Sequence, residues 1–218
     1  MRRQIFAEGE YYHVYNRGVD HRSITMDRRD SDRFVLGLRL FNSKQQIGSI
    51  AEFNRLAESD KLFPDDMDRI VDLVCYCLNP NHFHMILHEI STGGISQYMK
   101  RVSGGYSRYF NLKHKRTGTL FEGNFKAKHI GDNNYLLHVS SYVNLNDKVH
   151  NSGHQVTDVV RSSWDEYCGI EGFCQKNGIL EQFSSNKEYK NFSLRNLPDM
   201  KAIRKDYSEL KDILLEKL

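Results

Sequence analysis

The 218-residue sequence lacks any long hydrophobic run. No apolar segment approaches the roughly 20 residues that a membrane-spanning helix needs, and the opening residues MRRQIFAEGEYYH contain no apolar signal-peptide core. We therefore expect a cytoplasmic protein with no membrane partner. Hydrophobic residues make up 39% and charged residues 27%, which is typical of a globular domain and not of a disordered chain.

Cysteines are also scarce, and none of them forms a CxxC pair. The four cysteines are Cys75, Cys77, Cys168 and Cys174. This spacing predicts reduced thiols. A zinc site built from Cys75, Cys77, His82 and His84 is an alternative, but we expect the two cysteines to point into the core, opposite the histidine face.

Acidic residues are nearly absent from residues 98–130, although the whole chain has a net charge of only +3. This segment has one acid, Glu122, against eight basic residues, so it carries +7 and the rest of the chain −4. The basic residues are Lys100, Arg101, Arg108, Lys113, Lys115, Arg116, Lys126 and Lys128. Concentrated positive charge favours a polyanionic partner, although a solvated charged loop has the same composition.

Apolar alternation predicts four strands, at residues 11–17, 69–78, 82–89 and 119–130. The turn Asn-Pro-Asn at 79–81 predicts that the second and third strands form a hairpin.

Helical spacing predicts three main helices. The first begins at a cap formed by Asp30 or Ser31 and ends near Asn42. The second covers about 95–111, where the pair Gly104-Gly105 indicates a kink or a close approach by another backbone. The third covers 134–146, after a cap at Asp132 or Asn133.

The element order β-α-β-β-α-β followed by a helix is typical of an α+β fold, the ferredoxin-like split β-α-β sandwich with an antiparallel sheet and helices on one face. A shorter helix is predicted near 50–59. We divide the chain into a domain at 1–165 and a mostly helical extension at 166–218 that packs on it. In that extension, Ile203, Tyr207, Leu210 and Leu214 predict an amphipathic helix.

The strand 82–89 begins with His82-Phe83-His84. Side chains two apart on a strand share a face, so both imidazoles project together and Phe83 turns to the core. Two such imidazoles can share a divalent cation such as Mn²⁺, Zn²⁺ or hydrated Mg²⁺. An isolated pair of this kind is more often two solvent-facing histidines, and His88 lies too far along the strand to join it.

The third predicted helix places Tyr142 and Asn146 four residues apart, on one face. A metal-bound phosphate between them would have a nucleophile in Tyr142 and a further metal ligand in Asn146. With 12 tyrosines in the chain, a packed aromatic is the alternative role. Tyr106 and Tyr109 compete as nucleophiles, but neither has a ligand-type residue four positions later.

Several segments together resemble the HUH single-tyrosine transposases of insertion sequences, and among them the REP-associated tyrosine transposases. They are YYHVYNRGVDHR, NPNHFHMILHE, GGYSRYFN, KRTGTLFEGNFKAKHI and YLLHVSSYVNLN. The resemblance covers about residues 10–165, including Ser162-Ser163-Trp164. It implies a transposase-like endonuclease that cleaves single-stranded DNA near hairpins and rejoins it through a 5′-phosphotyrosine.

By this resemblance His82 and His84 are the metal ligands, Tyr142 is the nucleophile and Asn146 is the third ligand. The metal is Mg²⁺ or Mn²⁺, the partner is single-stranded or hairpin DNA, and the protein is a monomer or homodimer. Asp147 follows Asn146 where relatives commonly have proline, so the third ligand stays open between these two residues.

The basic segment then has a role in DNA binding. The candidate DNA-binding residues are Asn16, Arg17, Arg108, Lys113, Lys115, Arg116, Lys126 and Lys128. A catalytically silent nucleic-acid-binding regulator on the same fold is the alternative function, because the basic segment supports it equally well.

Overall fold

The computed structural model of the chain describes residues 5–45, 47–57, 69–150 and 158–215. The strands are β1 (Tyr11–Arg17), β2 (Asp72–Leu78), β3 (His82–His88), β4 (Lys126–Ile130) and β5 (Arg161–Ser162). The helices are α1 (Arg28–Leu40), α2 (Ile50–Ala57), α3 (Gly94–Lys113), α4 (Asn133–Asn144), α5 (Asn146–Val149), α6 (Trp164–Tyr167), α7 (Asn177–Leu180) and α8 (Asn186–Leu215).

The five strands form one sheet in the order β4-β1-β3-β2-β5, and every neighbouring pair is antiparallel. The first four strands have the order expected of a split β-α-β sandwich, which confirms the predicted fold class. The short edge strand β5, which pairs with the end of β2, was not predicted. This order places β1 inside the sheet, between β4 and the central strand β3.

Each face of the sheet carries its own core. On β3, Phe83, Met85 and Leu87 join the cluster under α1 and α3, whereas Ile86 joins a second cluster on the opposite face. This alternation follows from the two-residue period of a strand. Helices α1 and α3 thus cover one face and α4 with the C-terminal helices covers the other, so the expectation of helices on one face holds only for α1 and α3. Helix α4 therefore lies over the face that carries His84.

The starts of α1 and β2 differ from the predicted ones, because side chains other than the expected ones bind the backbone there. The N-cap of α1 is Asp27, whose carboxylate accepts from Asp30 N–H, so the predicted cap at Asp30 or Ser31 is wrong. Strand β2 begins at Asp72 and not at residue 69, because the Asn42 side chain holds the peptide groups of Ile70 and Val71.

Strand β4 is shorter than the predicted 119–130. Leu120 and Phe121 are buried, but they belong to a loop beside the end of β1, where Phe121 forms an isolated bridge with Gly18 and the Glu122 N–H donates to the Arg17 carbonyl. Gly123 has a φ of +67°, which interrupts extended backbone, and regular pairing starts only at Lys126.

The glycine pair in α3 does not interrupt the helix, which is continuous from Gly94 to Lys113. A Cβ at Gly105 would lie 2.7 Å from the Phe41 ring, whereas a Cβ at Gly104 would meet nothing within 4 Å. The predicted close approach is therefore real at Gly105, but the approaching group is an aromatic side chain and not a backbone.

The C-terminal segment is mostly helical, and α8 contacts α4, α5 and α6. Tyr167 and Tyr189 from this segment are fully buried in the core under α4. Ile203 is largely exposed, and the side chains of Tyr207, Leu210 and Leu214 lie outside the described residues. Within the ranges that the structure describes, no helix is long and apolar enough to span a bilayer.

Candidate active site

The two histidines of β3 project from the same face of the sheet, as predicted. The rings of His82 and His84 are nearly perpendicular, with centroids 5.2 Å apart. Phe83 between them is 1% exposed in the core on the other face. The strand thus presents two imidazoles to the space under α4.

Helix α4 brings Tyr142 to these histidines. The Tyr142 ring meets the His84 ring edge to face, with centroids 5.6 Å apart. Burial raises the pKa of the Tyr142 phenol, and the nearby Asn146 side chain partly offsets that rise. The phenol is therefore protonated near neutral pH, and its use as a nucleophile needs activation.

Asn146 also lies at the site, but not, as the sequence predicted, on the same helix as Tyr142. Helix α4 ends at Asn144, the buried Leu145 leaves helical geometry, and Asn146 begins the separate short helix α5. The Asn146 Oδ1 lies 3.1 Å from Nε2 of His82. Asp147, the other candidate for third ligand, meets the Cys77 thiol through its backbone, and no contact joins its carboxylate to His82 among the described residues. The geometry therefore favours Asn146.

The nitrogen and oxygen atoms around His82 could bind a divalent cation. The Nδ1 of His82 is 2.7 Å from Asn81 Oδ1, so this nitrogen donates and Nε2 keeps its lone pair facing the acceptor Oδ1 of Asn146. The Asn79 amide nitrogen lies between them, 2.8 Å from Asn146 Oδ1, while the Asn79 Oδ1 is buried without a partner. Converging nitrogen and oxygen acceptors suit Mn²⁺ or Mg²⁺.

The protonation states also fit metal binding, which requires neutral imidazoles. Burial lowers the pKa of His82, and it lowers the pKa of His84 well below the usual histidine value. In the described part of the chain, no three His, Cys, Asp or Glu side chains are grouped as metal ligands. Any cation here would therefore rely on an amide oxygen, such as that of Asn146.

Two further histidines at the site were not predicted. The Nε2 of His13 on β1 is 2.9 Å from Nδ1 of His84, and the His150 ring centroid is 4.5 Å from that of His82. Burial lowers the pKa of His13 to about 4 and that of His150 to about 3. In the sequence, the alternation of Tyr11, His13 and Tyr15 indicates that these three side chains share one face of β1. It does not indicate which strand lies beside β1, so the contact of His13 with His84 could not be predicted.

The two β2 cysteines share the histidine face, which corrects the predicted opposite placement. Cys77 pairs with His84 across the sheet, and directly paired residues project from the same face. Both Cys75 and Cys77 are fully buried in the apolar cluster, and burial raises the pKa of both thiols. Protonated thiols in an apolar core are poor zinc ligands.

The structure divides the predicted DNA-binding residues between the two faces of the sheet. Lys126 and Lys128 are exposed on β4, opposite Tyr15 and His13 in register, and so lie on the face of the candidate site. Arg17, at the His82 end of β1, is on this face too, but it forms an ion pair with Glu122.

Asn16 points to the other face, where it is buried and donates to the Gly123 carbonyl. The remaining candidates lie on α3 or just after it: Arg108, Lys113, Lys115 and Arg116. Arg108 and Lys113 line a groove of about 910 Å³ between α1 and α3, whereas the Arg116 guanidinium donates to the Asn111 side chain. The α3 candidates are thus separated from His82 and His84 by the sheet.

The span from β2 through the start of α5 contains both histidines, Tyr142 and Asn146. Residues 67–146 match the family model of IS200-like transposases. This match confirms the resemblance that the sequence motifs indicated. A solved REP-associated tyrosine transposase, bound to a REP hairpin, is similar to the chain with a TM-score of 0.51 at 15% sequence identity. The similarity covers 80% of this chain and 89% of the other, and it shows that the two share a fold. Among curated proteins, none matches the chain.

Proposed function

We propose that this protein is a transposase-like endonuclease that cleaves single-stranded DNA near hairpins and rejoins it through a covalent tyrosine intermediate. The observation that carries the proposal is the position of Tyr142 against His84, with Asn146 beside His82. A potential nucleophile and a potential cation site are thereby assembled from separate elements. The match of residues 67–146 to IS200-like transposases supports the same activity.

In this proposal the Tyr142 hydroxyl attacks a DNA phosphorus. A bond forms between the phenolic oxygen and phosphorus while the bond from phosphorus to the 3′ oxygen breaks. The phenolic proton leaves, and the departing 3′ oxygen takes up a proton. Attack by another 3′-hydroxyl on the phosphotyrosine reverses these changes and rejoins a strand. No nucleotide cofactor is required because the covalent link conserves the phosphodiester bond energy.

His82, His84 and Asn146 are the proposed ligands of Mg²⁺ or Mn²⁺. When bound, such a cation withdraws charge from the phosphate and makes it easier to attack. The Asn146 side chain also partly offsets the rise that burial causes in the pKa of Tyr142.

The proposed path of the DNA strand follows the exposed lysines of β4. Lys126 and Lys128 lie one strand away from His13 and Tyr15, on the face of the site. Their charges would hold the phosphates on either side of the scissile one. The groove between α1 and α3, which Arg108 and Lys113 line, is the second proposed DNA surface. Its proposed occupant is a DNA hairpin, because the similar solved transposase is bound to a REP hairpin.

The proposal is tested by forming the covalent adduct. The full-length protein is incubated with hairpin-containing single-stranded DNA and Mn²⁺, and a DNA-linked species that survives denaturant is expected on a gel. Tyr142→Phe should abolish it, whereas Tyr135→Phe on the same helix α4 should not. Adduct formation by Tyr142→Phe would assign the nucleophile elsewhere. Tight DNA binding by wild-type protein with no adduct on any structured strand would favour the silent regulator.

A further inference from the structure

His13 contacts His84 on the side that faces away from His82. The Nε2 of His13 and the Nδ1 of His84 are 2.9 Å apart, and the rings are stacked at 22° with centroids 5.1 Å apart. The contact joins β1 to β3, which are neighbours in the sheet. Neither the family match, which begins at residue 67, nor the sequence motifs assigned a role to His13.

An imidazole that binds a metal through one nitrogen carries its proton on the other, and that N–H needs an acceptor where water is excluded. His82 has this acceptor in Asn81 Oδ1 at 2.7 Å. For His84, the nitrogen that remains available to a cation is Nε2, because Nδ1 faces His13.

We infer that His13 is a positioning residue that accepts the Nδ1–H of His84 and so directs the Nε2 lone pair of His84 towards the cation. This inference rests on the proposed metal role of His84. It gives each of the two proposed histidine ligands its own acceptor from a neighbouring side chain, Asn81 for His82 and His13 for His84.

His13 as an additional ligand is the competing role. In the hydrogen-bonded geometry the N–H of one ring points at the nitrogen of the other, so the two lone pairs do not converge on a third point. The described residues also hold no group of three His, Cys, Asp or Glu arranged for a metal. The contact therefore fits a donor and an acceptor better than two ligands.

The first test needs no metal and no DNA. In wild-type full-length protein, the ¹⁵N shifts and long-range ¹H–¹⁵N couplings of the ring report which His84 nitrogen is protonated. We expect Nδ1–H. Finding Nε2–H on His84 would overturn the inference whether or not the protein cleaves DNA.

The second test measures Mn²⁺ affinity by isothermal titration. His13→Phe keeps an aromatic ring but removes the acceptor, and should weaken binding by about 10- to 100-fold, the range typical of lost outer-shell partners. His13→Gln restores an acceptor oxygen and should recover part of the loss. Unchanged affinity in His13→Phe overturns the inference, as does complete loss in both variants with normal melting temperatures, which would make His13 a ligand. Wild-type adduct formation, measured separately, decides the proposed function.

Discussion

The amide oxygen of Asn146 lies 3.1 Å from Nε2 of His82, although the two residues are 64 positions apart and belong to different elements. The contact exists because α4 ends at Asn144 and the chain turns at Leu145 before α5 begins. Asn146 is fully buried, whereas Asp147, next to it, meets the Cys77 thiol through its backbone.

This relationship predicts which residue is the third metal ligand. Asn146→Ala should weaken Mn²⁺ binding at least about tenfold, because loss of an outer-shell partner alone typically has that effect. Asp147→Ala is the matched control and should bind Mn²⁺ nearly as the wild type does. Isothermal titration with melting temperatures measured alongside checks both. The reverse order of the two variants would make Asp147 the ligand.

The lysines of β4 should set the affinity for single-stranded DNA. Replacing Lys126 or Lys128 by Ala should reduce the slope of log affinity against log salt by about 0.7 per lysine, since each phosphate contact releases a counterion. Fluorescence anisotropy with a labelled strand at several salt concentrations measures this slope. Lys187→Ala, exposed on α8, serves as the control and should leave the slope unchanged. Equal slopes for all variants would show that Lys126 and Lys128 of β4 do not contact the DNA phosphates.

The two glycines of α3 should respond oppositely to alanine. Gly104→Ala should stabilise the protein by up to about 1 kcal/mol, because alanine is the better helix former and its Cβ meets nothing within 4 Å. Gly105→Ala should destabilise it by about 1–3 kcal/mol through overpacking against the Phe41 ring. Urea unfolding of both variants gives the two free energies. A stabilising Gly105→Ala would show that Phe41 moves aside without penalty.

Asp30 should be important for stability. It is fully buried at the start of α1, and its carboxylate binds Lys113 and His114 at the end of α3, and Met26 N–H. Asp30→Ala should lower the free energy of unfolding by about 3 kcal/mol, because it removes one partner of a buried charged network.

The control for Asp30 is Asp32→Ala, which removes a half-exposed ion pair with Arg161 and should cost about 1 kcal/mol or less. Chemical denaturation compares the two variants. Similar losses of unfolding free energy would mean that the Asp30 network adds nothing beyond a surface pair.

Lys113 forms ion pairs with Asp27 and Asp30. Its part in DNA binding stays a prediction, which the salt-slope measurement can also test.

Local sequence signals predicted the elements better than their ends. The cap of α1 was misplaced because Asp27, Asp30 and Ser31 are all residue types that cap helices, and only the packed structure selects among them. The end of α4 was also missed. Residues 134–146 have continuous helical spacing, and the change of backbone direction at Leu145 has no glycine or proline to signal it.

The sequence by itself determined the chemical groups of the candidate site. The spacing of His82 and His84 requires a shared face because a strand repeats every two residues, and Tyr142 was identified by its distance from Asn146 and by the motifs around it. These are local properties of the chain, so the identification of the residues does not depend on the predicted end of the helix.

Only the tertiary structure decided what surrounds those groups. The order β4-β1-β3 places His13 against His84 and the β4 lysines beside them, and it sends Arg108 and Lys113 to the opposite side of the sheet. Strand order and helix packing come from contacts between distant parts of the chain. Local periodicity fixes which face a side chain occupies, but it does not fix which strand or helix that face meets.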